Sequence, residues 1–203
     1  MKKIFLVVLL SVIASFILGF IVFSNFVVNR PAGPASLITL EPVQVPDFTL
    51  TDHNGNRFSL YSLRGKIVLL FFGYTNCPDY CPLVLEVYDS SMRSERVERE
   101  SVALLFISCD PERDTPEALS RFLSRYRFGN VIGLTGSPEE LQKVWDEYKV
   151  RPLPSPKDEK GFYVVVHPTN VYVLDRDLRL RFAVTFENLS EGIPQAIRYL
   201  STN

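Results

Sequence analysis

The sequence predicts an α/β domain: one mixed sheet of parallel and antiparallel strands flanked by helices, preceded by a single N-terminal transmembrane helix. Three observations carry that expectation. Residues 4–29 contain no charged side chain. Continuous apolar runs at Lys66–Phe72 and Val102–Ile107 alternate with segments that open on helix-start signals, the pattern of an α/β chain. Three short strand-like runs between residues 162 and 184 then precede a closing helical stretch.

Each element has its own warrant. At about 1.5 Å per residue, a helix over 4–29 is long enough for a hydrocarbon core of about 30 Å. A cleaved signal peptide is the rival, but its apolar region is about 7–15 residues and ends on small residues. Here bulky residues fill Ile21–Phe26. No cysteine follows the run, which argues against a lipid-modified N-terminus. Lys2 and Lys3 precede the run and stay cytoplasmic. The anchor is therefore single-pass in the cytoplasmic membrane, with the remainder extracytoplasmic. No Arg- and Ser-rich transit segment precedes it, so a bacterial-type envelope is favoured over a mitochondrial one. Residues 30–46 hold four prolines and read as a tether. The expected division is anchor 1–29, linker 30–43 and folded domain 44–203.

Within the domain, Phe48–Thr51 and Arg57–Leu60 flank Asn54-Gly55, a hairpin signal. The runs Lys66–Phe72 and Val102–Ile107 suit strands buried on both faces. A helix is expected from Pro82 to about Glu100, with Cys81 just before its first residue. Thr115-Pro116-Glu117 opens a helix to Tyr126, and Ser137-Pro138-Glu139-Glu140 opens one to about Tyr148. Asn130–Leu134 is a short strand. Residues 151–161 form a loop rich in proline and charge. Phe162–Val166, Val171–Asp175 and Arg179–Val184 read as an antiparallel meander, and Ser190–Leu200 as the last helix. A thioredoxin-like fold fits this order, although the order alone does not establish it.

Composition excludes several functions. Twenty-two basic residues against 23 acidic ones leave no footprint for nucleic acid. Three cysteines in 203 residues are too few for a disulfide scaffold, and an odd count leaves at least one thiol unpaired. No Ser/His/Asp hydrolase motif, phosphate loop or carboxylate-rich metal motif is present.

The chemistry lies in Cys77-Pro78-Asp79-Tyr80-Cys81-Pro82. The first apolar strand delivers Cys77 past its C-terminal end, where active sites of α/β sheets gather. Both sulfurs then sit near a helix N-terminus, which favours thiolate. The spacing is C-x-x-x-C, one residue wider than the redox C-x-x-C. Such a pair can close a disulfide or converge on a soft ion such as Cu(I) or zinc, although two sulfurs need a further ligand. His53 lies in the hairpin loop and reads as a turn residue. His167 ends an apolar strand and reads either as a structural histidine or as the third ligand. Cys109 reads as a small buried hydrophobe or as a third sulfur near the pair. Asp79 either favours the helix N-terminus or acts outside the metal's ligands. Asp110, Arg113 and Asp114 read as caps, turn residues and a surface salt bridge, or as a partner-recognition surface.

Three motifs resemble the Sco/SenC family of copper-binding oxidase assembly factors. They are Gly73-Tyr-Thr-Asn-Cys77-Pro-Asp-Tyr-Cys81-Pro82, Ser108-Cys-Asp110-Pro-Glu-Arg113-Asp114-Thr115-Pro116, and Tyr163-Val-Val-Val-His167 followed by Val171–Asp175. The resemblance covers about residues 44–200 and implies a thioredoxin-like domain. It also implies that Cys77, Cys81 and His167 bind one copper ion, as Cu(I) and, with a weaker oxygen ligand, as Cu(II).

The implied function is that of a metallochaperone for the dinuclear copper site of cytochrome c oxidase, with subunit II as partner and other copper carriers or thiol reductants as further ones. The alternative is a thiol–disulfide oxidoreductase that keeps that site's cysteines reduced, with Cys77 and Cys81 as the redox-active dithiol. A peroxidase of related fold is the remote third. Two positions depart from the family: Val166 stands where aspartate is common and Pro168 where serine is. The first departure removes an expected support for the imidazole. Cys109 is a third departure, at a position more often aliphatic. The loop 151–161 is the candidate for motion that brings His167 to the cysteines.

Overall fold

The structure is a computed structural model that describes residues 15–20, 36–95, 97–127 and 129–202. Two compact units divide the chain, Met1–Gly33 and Pro34–Asn203. In the first, residues 15–20 are helical. Most of the anchor expected over 4–29 lies outside the described residues, and among those no helix is long and apolar enough to cross a membrane.

The second unit runs β1 (Ile38–Gln44), β2 (Thr49–Asp52), β3 (Arg57–Ser59), β4 (Ile67–Gly73), α1 (Tyr80–Ser94), β5 (Val102–Ser108), α2 (Pro116–Leu123), β6 (Val131–Thr135), α3 (Pro138–Glu147), β7 (Leu153–Pro154), β8 (Val165–Val166), β9 (Val171–Leu174), β10 (Arg179–Val184) and α4 (Leu189–Thr202). Eight strands form one sheet in the order β1-β10-β9-β4-β5-β6-β2-β3. Its centre is parallel, β4 beside β5 and β5 beside β6. The flanking pairs are antiparallel. This is the mixed sheet that the sequence predicts.

The two apolar runs occupy the centre because every position of β4 and β5 is buried. Burial on both faces removes the polar alternation of an ordinary antiparallel strand. Phe71, Phe72 and Phe106 are wholly inaccessible, and a buried side chain of this size contributes about 1.5–3 kcal/mol. Helix starts follow the local signals. The Thr115 hydroxyl accepts the N–H of Ala118, and Ser137 with Glu140 completes a reciprocal capping box. The Asn54-Gly55 signal gives the β2–β3 hairpin, with Gly55 at φ +84, a left-handed conformation that glycine adopts without steric cost.

Five sequence expectations change. Residues 38–44, read largely as tether, form the edge strand β1 against β10, with a register shift between Thr39 and Val43. Pro42 lies in that irregular stretch, where a missing N–H is tolerated. Helix α1 begins at Tyr80 rather than Pro82. Proline fits in the first turn because the N–H groups there have no intrahelical acceptor. The same helix ends at Ser94, and α2 ends at Leu123, both short of the expected limits. The strand before His167 is not part of the meander: β8 leaves the main sheet and pairs with β7, Leu153 opposite Val166.

Strand direction brings several segments to one edge. Gly73 at the end of β4 is level with Ser108 at the end of β5. Antiparallel β9 starts beside Phe71, so residues 167–170 enter at the same edge. β10 runs with β4 and ends there, and β1 begins there, Ile38 opposite Ala183.

Candidate metal centre

Cys77 follows β4 through a turn closed by its own N–H to the Tyr74 carbonyl, 3.2 Å. Four residues on, Cys81 lies in the first turn of α1 and is wholly buried, with Cys77 6% exposed. The Cys81 N–H points at the Cys77 sulfur, 3.4 Å away. A helix leaves its first N–H groups unsatisfied, so that sulfur receives both a donor and the positive end of the helix dipole. His167 follows β8, its Nε2 3.7 Å from the Cys81 sulfur. The ligand atoms of Cys77, Cys81 and His167 all lie within 4.8 Å of one another. Two sulfurs and one imidazole nitrogen at that spacing suit a soft ion in a three-coordinate site.

The histidine has a support that the sequence did not show. Its Nδ1 lies 2.9 Å from the Pro168 carbonyl oxygen. A carbonyl only accepts, so Nδ1 carries a proton, and Nε2 is left facing the sulfurs, where a shared ion would sit. Main chain thus does what an aspartate at position 166 would do. The imidazole also stands edge-on to the rings of Tyr74 and Phe71, centroids 5.6 and 6.0 Å away.

The two thiols are electrostatically unequal. The Cys77 thiol is pushed down to about 3, chiefly because the Cys81 S–H donates to it; His167 and the backbone N–H groups of Cys81 and Asp79 add to this, against burial. The Cys81 thiol is pushed up, first by burial and then by the Cys77 sulfur beside it. One thiolate and one thiol therefore share the site. Iodoacetamide should alkylate Cys77 before Cys81, at a rate nearly flat between about pH 5 and pH 8, because the thiolate is already complete. A Cys77 rate rising about tenfold per pH unit would contradict this.

The remaining candidates separate. Cys109 is buried at the end of β5, its N–H bonded to the Gly73 carbonyl, 2.7 Å. It lies outside the ligand group and lines a cavity of ≈ 400 Å³ with Trp145, Tyr163 and Val165. Burial raises its thiol pKa, with Asp114 and Asp110 adding to the shift. Asp79 is exposed and takes the N-cap position of α1 without a side-chain capping bond. His53 accepts the Gly133 N–H at Nδ1, 3.1 Å, a structural role.

Sequence reasoning understated the acidic motif. Asp114 is wholly buried. Its carboxylate accepts the N–H and hydroxyl of Thr75, 3.0 and 2.6 Å, and the Ser108 hydroxyl, 2.7 Å. It ties the turn that carries Cys77 to the end of β5. Asp110, 5% exposed, pairs with Arg113 and accepts the Tyr163 hydroxyl, 2.8 Å. Arg113 also donates to the Tyr163 carbonyl, 3.0 Å, and lies over the Tyr163 ring at 3.5 Å. The expected surface salt bridge is thus a buried clamp on the segment that leads to His167. The sequence signals were charge beside a strand end and the motif from Ser108 to Pro116, and neither named the buried partners.

Comparisons with known proteins point to one family. The SCO1/SenC family model matches residues 39–201. The chain is 41% identical over 133 residues to the mitochondrial SCO2 homologue of Bos taurus, covering 64% of this chain and 50% of that protein. It spans about half the length of the mitochondrial relatives it matches. The copper-bound structure of Bradyrhizobium japonicum ScoI is 36% identical, covers 78% of this chain and all of its own, and superposes with a TM-score of 0.69. The structure of BsSco reports a disulfide switch in a member of the Sco family of cytochrome c oxidase assembly proteins. It is 26% identical, covers 79% of this chain and 96% of its own, and has a TM-score of 0.57. A family match across most of the chain and the same thioredoxin-like fold place this chain in the SCO1/SenC family.

Proposed function

We propose that this chain is a membrane-tethered copper carrier that serves assembly of the dinuclear copper site of cytochrome c oxidase, with subunit II as recipient. Copper is its cargo, held by Cys77, Cys81 and His167. The observation that carries this reading is the convergence of those three ligand atoms within 4.8 Å. The uncharged run 4–29 behind Lys2 and Lys3 supports a single-pass anchor with the folded unit outside the cytoplasmic membrane.

The unequal thiols favour one further reading, a thiol–disulfide oxidoreductase. The Cys77 thiolate would attack a partner disulfide, forming a mixed disulfide and releasing one partner thiolate. Cys81, after losing its proton, would then attack the Cys77 sulfur. A Cys77–Cys81 disulfide would result, with both partner thiols reduced. This needs no imidazole.

Anaerobic Cu(I) titration of the reduced unit 34–203 separates the two. The carrier reading expects one equivalent, abolished in Cys77→Ser/Cys81→Ser and weakened at least about tenfold in His167→Ala, the scale on which metal sites respond to lost imidazole support. Binding indifferent to His167→Ala, with disulfide exchange retained, would overturn the carrier reading in favour of the reductase.

A further inference from the structure

Among the described residues of the second unit, seven large apolar side chains are exposed: Ile38, Val43, Tyr80, Leu83, Leu153, Phe162 and Val166. Ile38, Tyr80, Leu83, Leu153 and Val166 lie at the ends of elements that meet the edge holding the metal centre, whereas Val43 lies near the far end of β1 and Phe162 in the loop between β7 and β8. Ile38 opens β1, Tyr80 and Leu83 are in the first turn of α1, and Leu153 and Val166 are paired strand residues of the β7–β8 hairpin. Leu153 and Val166, each 63% exposed, face each other across that hairpin, one residue before His167. Apolar exposure gathered on one edge marks an interaction surface.

The chain also says which surface covers it. Only residues 30–37 separate the uncharged run from β1. Eight residues span at most about 26–29 Å when fully extended. They join the domain at this same edge, where Leu37 is buried and Ser36 bonds Gln195 and Glu191 of α4. The hairpin loop carries Arg151, Lys157 and Lys160 against Asp158 and Glu159, nearly neutral, so charge does not direct the contact. We propose that this apolar edge rests on the lipid surface, with Leu153, Phe162 and Val166 inserted at the headgroup boundary. The proposal rests on the reading of 4–29 as a membrane anchor. Interfacial insertion of this kind scales with buried apolar area. The copper site then opens at the membrane surface, toward recipients held in the same membrane.

The full chain, reconstituted in phosphatidylcholine vesicles, tests this by hydrogen exchange over residues 151–167, compared with the free unit 34–203. Docking expects exchange slowed at least about tenfold in vesicles, unchanged by added salt or by anionic lipid. It also expects the slowing to vanish in Leu153→Ser/Phe162→Ser, a variant that leaves Val166 and His167 unchanged and should still bind one Cu(I) because both altered side chains are exposed. Equal exchange in vesicles and in solution overturns the proposal. So does slowing that appears only when oxidase subunit II is added, which assigns the edge to a protein. Alkaline carbonate extraction keeps the two readings apart. Release of the full chain refutes the anchor and the docking together, whereas retention with an unprotected hairpin refutes docking alone.

Discussion

Asp114→Ala is expected to lower the stability of the folded unit by about 3 kcal/mol, the scale on which buried donors lose their acceptor. The carboxylate accepts three hydrogen bonds from Thr75 and Ser108. Removing it leaves the Thr75 N–H and the wholly buried Ser108 hydroxyl without their acceptor, at about 1–3 kcal/mol per buried group, while the Thr75 hydroxyl keeps the Asn76 Oδ1 at 3.0 Å. Urea unfolding measures the loss directly, as a lower midpoint at unchanged slope; a change under about 1 kcal/mol would refute the assignment. Asp114→Asn should cost less, and its cost should depend on pH. Burial raises the Asp114 pKa, so the native state takes up a proton more readily than the unfolded chain. That stabilisation is complete below the unfolded value, about 3.9, and is lost as pH rises through the folded value. Asparagine resembles the neutral form, so the cost of Asp114→Asn should shrink from acid to neutral pH.

Gly73→Ala should damage fold and site together. A methyl group there would lie 2.8 Å from the Cys81 sulfur and 2.9 Å from both the Phe106 and Phe71 rings. All three neighbours are wholly buried, so none can move aside into solvent. Overpacking of this kind costs about 1–3 kcal/mol, and the thiol is the smallest of the three. We expect a lower Tm and a Cu(I) affinity reduced against a chelator such as bicinchoninate. Unchanged affinity with a lower Tm would show that the phenylalanines yield and the sulfur does not. The glycine of the Gly73–Pro82 motif is therefore a spacing residue for Cys81 as well as the end of β4.

Local physics made most of the fold legible. Unbroken apolar runs marked β4 and β5, and Thr115 and Ser137 marked two helix starts. The edge strand β1 was hidden because four prolines spoke for a tether, while its pairing with β10 is a contact across about 140 residues. The strand before His167 was recognised, but its partner was not: apolar alternation identifies a strand and says nothing of which neighbour it joins. At the site, the ligands were legible because sulfur and imidazole announce their chemistry. The clamp of Asp110, Arg113 and Asp114 was not. Charge reads as surface until distant partners such as Thr75 and Tyr163 remove it from water.

The ligand set is divided between two parts of the fold. Both sulfurs belong to the main body, at the junction of β4 and α1, while the imidazole rides on the β7–β8 hairpin, outside the main sheet. The sulfur pair and the imidazole are therefore separate design variables. Changes to the hairpin can retune ion preference and release without disturbing the dithiol couple. Changes around Gly73 and the first turn of α1 can shift the couple while sparing the imidazole arm. A protein engineer could graft a different third donor at position 167 and keep the sulfur chemistry intact.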